Sequence, residues 1–119
     1  MKEQFPARMV RIHFGESDTW QGKPLHEAIV AKCTEHGIAG VMVFRGIEGY
    51  GSSTHIRHAS YWTFSKDAPI MLSIVDKPDQ INRLIPHLDA MVNEGLVAIS
   101  RVEVIRYTRN PAPVPAKAS

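Results

Sequence analysis

Residues 41–60 read VMVFRGIEGYGSSTHIRHAS, and the change of character inside this stretch decides the fold. Val41, Met42, Val43 and Phe44 form a continuous apolar run of strand length. Such a run suits a strand covered on both faces, by helices or by another subunit. After Arg45 the apolar signal stops, and residues 46–60 are rich in Gly, Ser, Thr and His without a hydrophobic period. That composition predicts a long loop, of the length class usually kept for function or disorder. The loop divides the chain into two halves with the same order of elements.

On the N-terminal side, residues 9–14 alternate, with Val10, Ile12 and Phe14 on one face and Arg11 and His13 on the other. That is the period of a half-buried strand. Pro24 then opens a segment in which Leu25, Ala28, Ile29 and Cys33 recur at helical spacing, and Gly37 is placed to stop it in the left-handed conformation. On the C-terminal side, residues 61–64 read as a short strand or strand end, and residues 70–75 as a clear strand. Asp76, Lys77, Pro78 and Asp79 have the composition of a helix start. Ile81, Leu84, Ile85, Leu88, Met91 and Val92 follow at a spacing of about 3.6. Pro86 inside this pattern is expected to kink the helix or shift its regular part, and Gly95 to end it. Residues 96–107 supply the last strand.

The order β-α-β, loop, β-α-β predicts an α+β, ferredoxin-like βαββαβ sandwich, a four-stranded antiparallel sheet with two helices on one face. The domain is placed at residues 8–108, after an N-terminal extension at 1–7. A disordered tail rich in Pro and Ala is placed at 109–119. The second face of the sheet must meet water or another subunit, and Met42 and Phe44 argue for a subunit. On strand one, His13 beside Arg11 reads as an inter-subunit contact.

Composition narrows the function. With 119 residues, one cysteine and a formal net charge of +2, the chain suits one domain without a disulfide framework. The charge is too balanced for a dedicated polyanion binder, and Trp20 and Trp62 lack a basic stripe between them. No nucleic-acid partner is expected. The N-terminus is polar and no run approaches a membrane span, so the default location is cytoplasmic.

Four groups of residues carry candidate chemistry. Glu16 and Asp18 follow strand one and could bind a cation or do acid/base work, while Ser17 or Asp18 could equally turn or cap the chain before helix one. Gly46, Gly49 and Gly51 have phosphate-loop spacing, but Ser52 stands where a Walker A sequence needs Lys. Their backbone amides could still approach an anion, with Arg45 supplying charge, or they could serve only turn geometry. His55 and His58 could give two ligands to a divalent metal or stay solvated. No Gly-x-Ser-x-Gly elbow is present, and Cys33 on the apolar helix face reads as a buried, inert thiol.

Several of these residues together resemble a known family. Gly15-Glu16-Ser17-Asp18, Trp20-x-Gly22-x-Pro24-Leu25, Gly37-Ile38-Ala39-Gly40, Arg45-Gly46-Ile47-Glu48-Gly49-Tyr50-Gly51 and Met91-Val92-x-x-Gly95-Leu96 occur in the order found in the bacterial and archaeal PII-like family called domain of unknown function 190. The resemblance spans about residues 8–107. It implies a homotrimer with sheets packed toward the shared axis and effector sites in the clefts between subunits. In the wider PII superfamily the loop between strands two and three is the signalling loop, and a Gly-Phe-Gly at its base approaches nucleotide phosphates. Gly49-Tyr50-Gly51 matches that position. PII proteins proper also carry a lysine-bearing, glycine-rich loop before the last strand, and residues 93–96 hold no basic residue.

The function expected is a non-enzymatic regulator that binds a small anionic metabolite or an adenine nucleotide through Glu16, Asp18, Arg45, Gly46, Gly49, Tyr50 and Gly51. It would signal through residues 46–60 to a membrane transporter, a channel or a metabolic enzyme. The alternative is a divalent-metal binding protein similar to the CutA branch of the superfold, using some of Glu16, Asp18, His55 and His58. A small hydrolase using the first-loop carboxylates is a third reading.

Overall fold

The protein is described by a computed structural model, covering residues 1–50, 56–58 and 67–109. The elements run β1 (Lys2–Gly15), β2 (Thr19–Trp20), β3 (Lys23–Pro24), α1 (Leu25–Glu35), β4 (Gly40–Arg45), β5 (Glu48–Tyr50), β6 (Ile56–His58), β7 (Pro69–Asp76), α2 (Pro78–Met91) and β8 (Leu96–Tyr107). Four strands form one antiparallel sheet in the order β4-β7-β1-β8, which is the ferredoxin-like arrangement. The expected strand at 61–64 and the expected tail beyond residue 109 lie outside the described residues.

One face of the sheet is built as the core. Val10, Ile12 and Phe14 of β1 and Ile70, Leu72 and Ile74 of β7 are buried under Leu25, Ile29 and Cys33 of α1 and Ile81, Leu84 and Leu88 of α2. Burying a large aliphatic side chain stabilises the fold by about 1.5–3 kcal/mol, so this two-layer packing is the main reason the elements stay together. Gly37, at φ +69°, ends α1 as expected. Ile38 N–H donates to the Cys33 carbonyl (3.0 Å) and Gly37 N–H to Thr34 (3.1 Å), the paired bonds of a Schellman motif. Helix α2 runs through Pro86 as one element. Pro86 is exposed, where a carbonyl that loses its helical partner is hydrated instead.

Asp76 is the buried charged residue among those described, and it joins two elements. Its Oδ2 accepts from Ala39 N–H (2.8 Å) at the entry to β4, and its Oδ1 from Lys77 N–H (2.7 Å) at the entry to α2. Asp76→Ala would leave both amides without their acceptor. We expect a loss of about 1–3 kcal/mol in a denaturant titration, with Asp76→Asn intermediate.

Three segments differ from their sequence reading. Residues 2–7, expected to precede the domain, are strand: they pair with β8, from Lys2 opposite Tyr107 to Ala7 opposite Val102. β7 reaches only as far as Arg8, so this part of β1 and the end of β8 extend past the four-stranded sheet as a ribbon. A ribbon that buries little shows no alternation, which hid it. Residues 19–24 form a small hairpin whose central residues, Gln21 (φ 51°) and Gly22 (φ 80°), take the left-handed geometry of a tight turn. Finally, the composition of residues 46–60 predicts a loop, but β5 and β6 pair within them, with Glu48 opposite His58 and Gly49 opposite Arg57.

The second face of the sheet is uncovered within one chain. Met42 on edge strand β4 is 62% exposed, Phe44 and Leu96 are also exposed, and Val43 on the helix side is 41% exposed, so within one chain β4 is only partly covered, and cover by another subunit lies outside what one chain shows. Among the described residues no helix is long and apolar enough to cross a membrane.

Candidate functional site at the loop base

β1, β4 and β7 meet at one end of the sheet, where the chain leaves β4 at Arg45 and re-enters β7 at Pro69. Backbone bonds continue the sheet there: Glu16 N–H donates to the Ala68 carbonyl (2.8 Å) and Gly46 N–H to Pro69 (2.7 Å). A Cβ on Gly46 would lie 2.9 Å from Pro69 Cγ, so glycine lets the departing strand pass close to the proline ring.

Two adjacent residues at the end of β1 hold both sides of this junction. Arg45 Nε donates to Glu16 Oε2 (3.1 Å) and Nη2 to Oε1 (3.0 Å), a two-pronged pair across the strand that leaves. Ser17 Oγ donates to Asp67 Oδ1 (2.7 Å), just before the strand that returns. The side-chain hydrogen bond from Arg45 holds the Glu16 carboxyl below its usual range, opposed by partial burial, and the same bond raises the Arg45 guanidinium. Two of the five guanidinium donors are engaged, so the remaining N–H groups are available to an anion.

The lowered Glu16 value sets a pH dependence. A carboxyl with a depressed folded value adds stability above its unfolded value, near 4.5, and loses it as pH falls through the folded value. Melting curves of wild type and Glu16→Gln should therefore differ by a constant, small amount in the neutral range and converge in acid. The difference stays small because a partly exposed pair is screened by solvent.

Of the expected site residues, the structure brings Glu16, Arg45 and Gly46 together. Asp18 has a local role: its Oδ2 accepts from Gly15 N–H (3.1 Å), and its carbonyl accepts from Leu25 N–H (2.8 Å) at the start of α1. That is the turn its position also allowed, while the N-cap of α1 is Pro24 and carries no side-chain bond. Gly49 and Tyr50 lie in β5 just beyond the junction, and His58 in β6. Gly51 and His55 fall outside the described residues. Ser17 and Asp67 were missed as a pair because nothing in sequence links positions fifty residues apart. Cys33 is 1% exposed, and burial pushes its thiol up to about 11, which agrees with an inert side chain. Among the described residues no group of three or more His, Cys, Asp or Glu side chains is placed to hold a metal ion.

The turn from α2 to β8 approaches the same end of the sheet, and Gly95 presses on it: a Cβ there would lie 2.5 Å from the His13 carbonyl oxygen. A cavity of about 350 Å³ lies at the opposite end, between the ribbon residues Phe5, Val104 and Arg106 and the strand ends at Gly40 and Asp76.

Known proteins share this architecture. CPII from Thiomonas intermedia K12, a nitrogen regulatory PII-like protein solved bound to ADP, AMP and bicarbonate, superposes with a TM-score of 0.63 at 17% identity, over 86% of this chain and 91% of its own. CutA1 from Oryza sativa superposes with a TM-score of 0.54 at 16% identity, over 83% of this chain and 80% of its own. A UPF0166 protein of Aquifex aeolicus is 31% identical over 98 residues, 82% of this chain and 92% of the relative. The sequence pattern of the DUF190 family, described as uncharacterized ACR, matches residues 7–104, and the chain belongs to that family.

Proposed function

We propose that the protein is a non-enzymatic, PII-like regulator. It assembles as a homotrimer through the uncovered sheet face and takes an adenine nucleotide or a small anion in the cleft between copies at the loop base. A change there alters the segment that begins at Gly46, which is read by a membrane transporter, a channel or a metabolic enzyme.

The observation that carries this reading is the Glu16–Arg45 pair at the root of that segment. A guanidinium shared between a carboxylate and an incoming anion gives two arrangements of one element, which is what a switch needs. The bound ADP, AMP and bicarbonate of CPII supply the ligand classes to test first. The metal reading has less support, since Glu16 is engaged by Arg45 and Asp18 by the Gly15 amide.

Calorimetric titration of the full chain with ADP, AMP and bicarbonate, singly and in pairs, tests the proposal. Saturable binding to a protein of trimeric mass supports it. No heat from any of the three, or binding only to divalent cations, would remove the nucleotide and anion reading.

A further inference from the structure

Around Arg11 the uncovered face of the sheet carries positive charge without a carboxylate beside it. Strand register places Met42, Ser73, Arg11 and Ala98 in one row across the sheet, and Phe44, Met71, His13 and Leu96 in the next. Neither row contains a carboxylate. Arg11 and His13 project from β1, an inner strand of the sheet, with Arg11 between Ser73 and Ala98 and His13 in the end row between Met71 and Leu96. Among the described residues Arg11 has no hydrogen-bond or ion-pair partner. Arg106, the other cation on this face, differs: it sits at the far end of the ribbon and meets Glu3 at 3.6 Å.

Arg11 is exposed in one chain, and a guanidinium on a face that another copy covers needs a partner of opposite charge. Where this face packs toward a threefold axis, copies of Arg11 are drawn toward one another, and the two rows around it add no acid. A planar fork of donors fits the oxygens of a tetrahedral or trigonal oxyanion, and the imidazole of His13, two residues along the same face, adds a further N–H donor.

We infer that the Arg11 side chains of the associated copies together hold a small inorganic oxyanion, of the phosphate class, inside the assembly. This rests on the trimer proposed above, because the site is incomplete in one chain. It is separate from the loop-base site, whose Arg45 pairs across from Ile70 and so belongs to the helix-covered face.

The test uses wild type and Arg11→Gln in dilute buffer, with inorganic phosphate compared against sodium chloride at equal ionic strength. Mass is read by light scattering and stability by thermal melting. Ligand that binds only the folded assembly raises its melting temperature, here by about 5 °C or more in excess phosphate over the chloride control. Arg11→Gln should keep the trimeric mass and the response to ADP, lose the phosphate shift, and melt above wild type when phosphate is absent. A phosphate shift retained by Arg11→Gln, an equal shift with chloride, or no shift in wild type would each overturn the inference. A monomeric wild type would overturn the trimer itself. If Arg11→Gln does not fold, native mass spectrometry of wild type decides: one phosphate for each three chains supports the site, and none refutes it.

Discussion

Arg45→Ala is expected to weaken nucleotide or bicarbonate binding by about ten- to hundredfold, the range for losing a hydrogen bond to a charged group. Truncation removes the donors an anion would use and leaves Glu16, previously paired at 3.0 Å, as an uncompensated carboxylate at the same place. The variant thus removes one positive charge from the site. Arg45→Lys should recover part of the affinity, because an ammonium restores charge without the planar fork. Glu16→Gln should bind anions more tightly than wild type, since it frees the guanidinium from its internal competitor. Arg45→Ala combined with Glu16→Gln should bind better than Arg45→Ala alone. Calorimetry measures all four proteins, and circular dichroism confirms that the sheet is intact. Unchanged affinity in Arg45→Ala would take the loop base out of the binding site.

The second large effect falls on stability. Gly95→Ala would put a methyl group 2.5 Å from the His13 carbonyl oxygen, 3.4 Å from Phe14 Cβ and 3.4 Å from Val92 Cγ1. The first of these is backbone in the central strand and cannot move without disturbing two ladders. Overpacking of this kind costs about 1–3 kcal/mol, which corresponds to a melting temperature roughly 5–15 °C lower in a domain of this size. Gly46→Ala should cost less, because it meets the edge of the Pro69 ring at 2.9 Å. A Gly95→Ala protein that melts with wild type would show that the turn can withdraw from β1.

How much was legible in the sequence follows from which forces shaped each part. Val10, Ile12 and Phe14 alternate because one side of β1 is core, and Ile81, Leu84 and Leu88 keep helical spacing for the same reason, so these elements announced themselves. Gly37 was readable because only a left-handed stop needs glycine there. Lys2 to Pro6 gave no period, since none of them is buried, and their strand state comes from pairing with residues about a hundred positions away. The two short pairings, Thr19–Trp20 with Lys23–Pro24 and Glu48–Tyr50 with Ile56–His58, are too brief for any periodicity. At the site, Glu16 and Arg45 were each visible as candidates, but their mutual bond depends on the order β4-β7-β1 bringing residues 29 apart together. Asp18 carried two readings, and local backbone geometry selected the turn.

The state of Cys33 has a practical consequence. It is the chain's single cysteine, and as a buried thiol with its ionisation pushed up to about 11 it presents almost no thiolate to a reagent at neutral pH. The native protein is therefore a silent background for maleimide chemistry. A cysteine introduced at Ile47, which is 83% exposed and one step past the loop base, should take a fluorophore or spin label selectively without first removing the natural thiol. Distances between such labels on neighbouring copies would then follow the segment directly as ADP or bicarbonate is added, in an otherwise unaltered sequence.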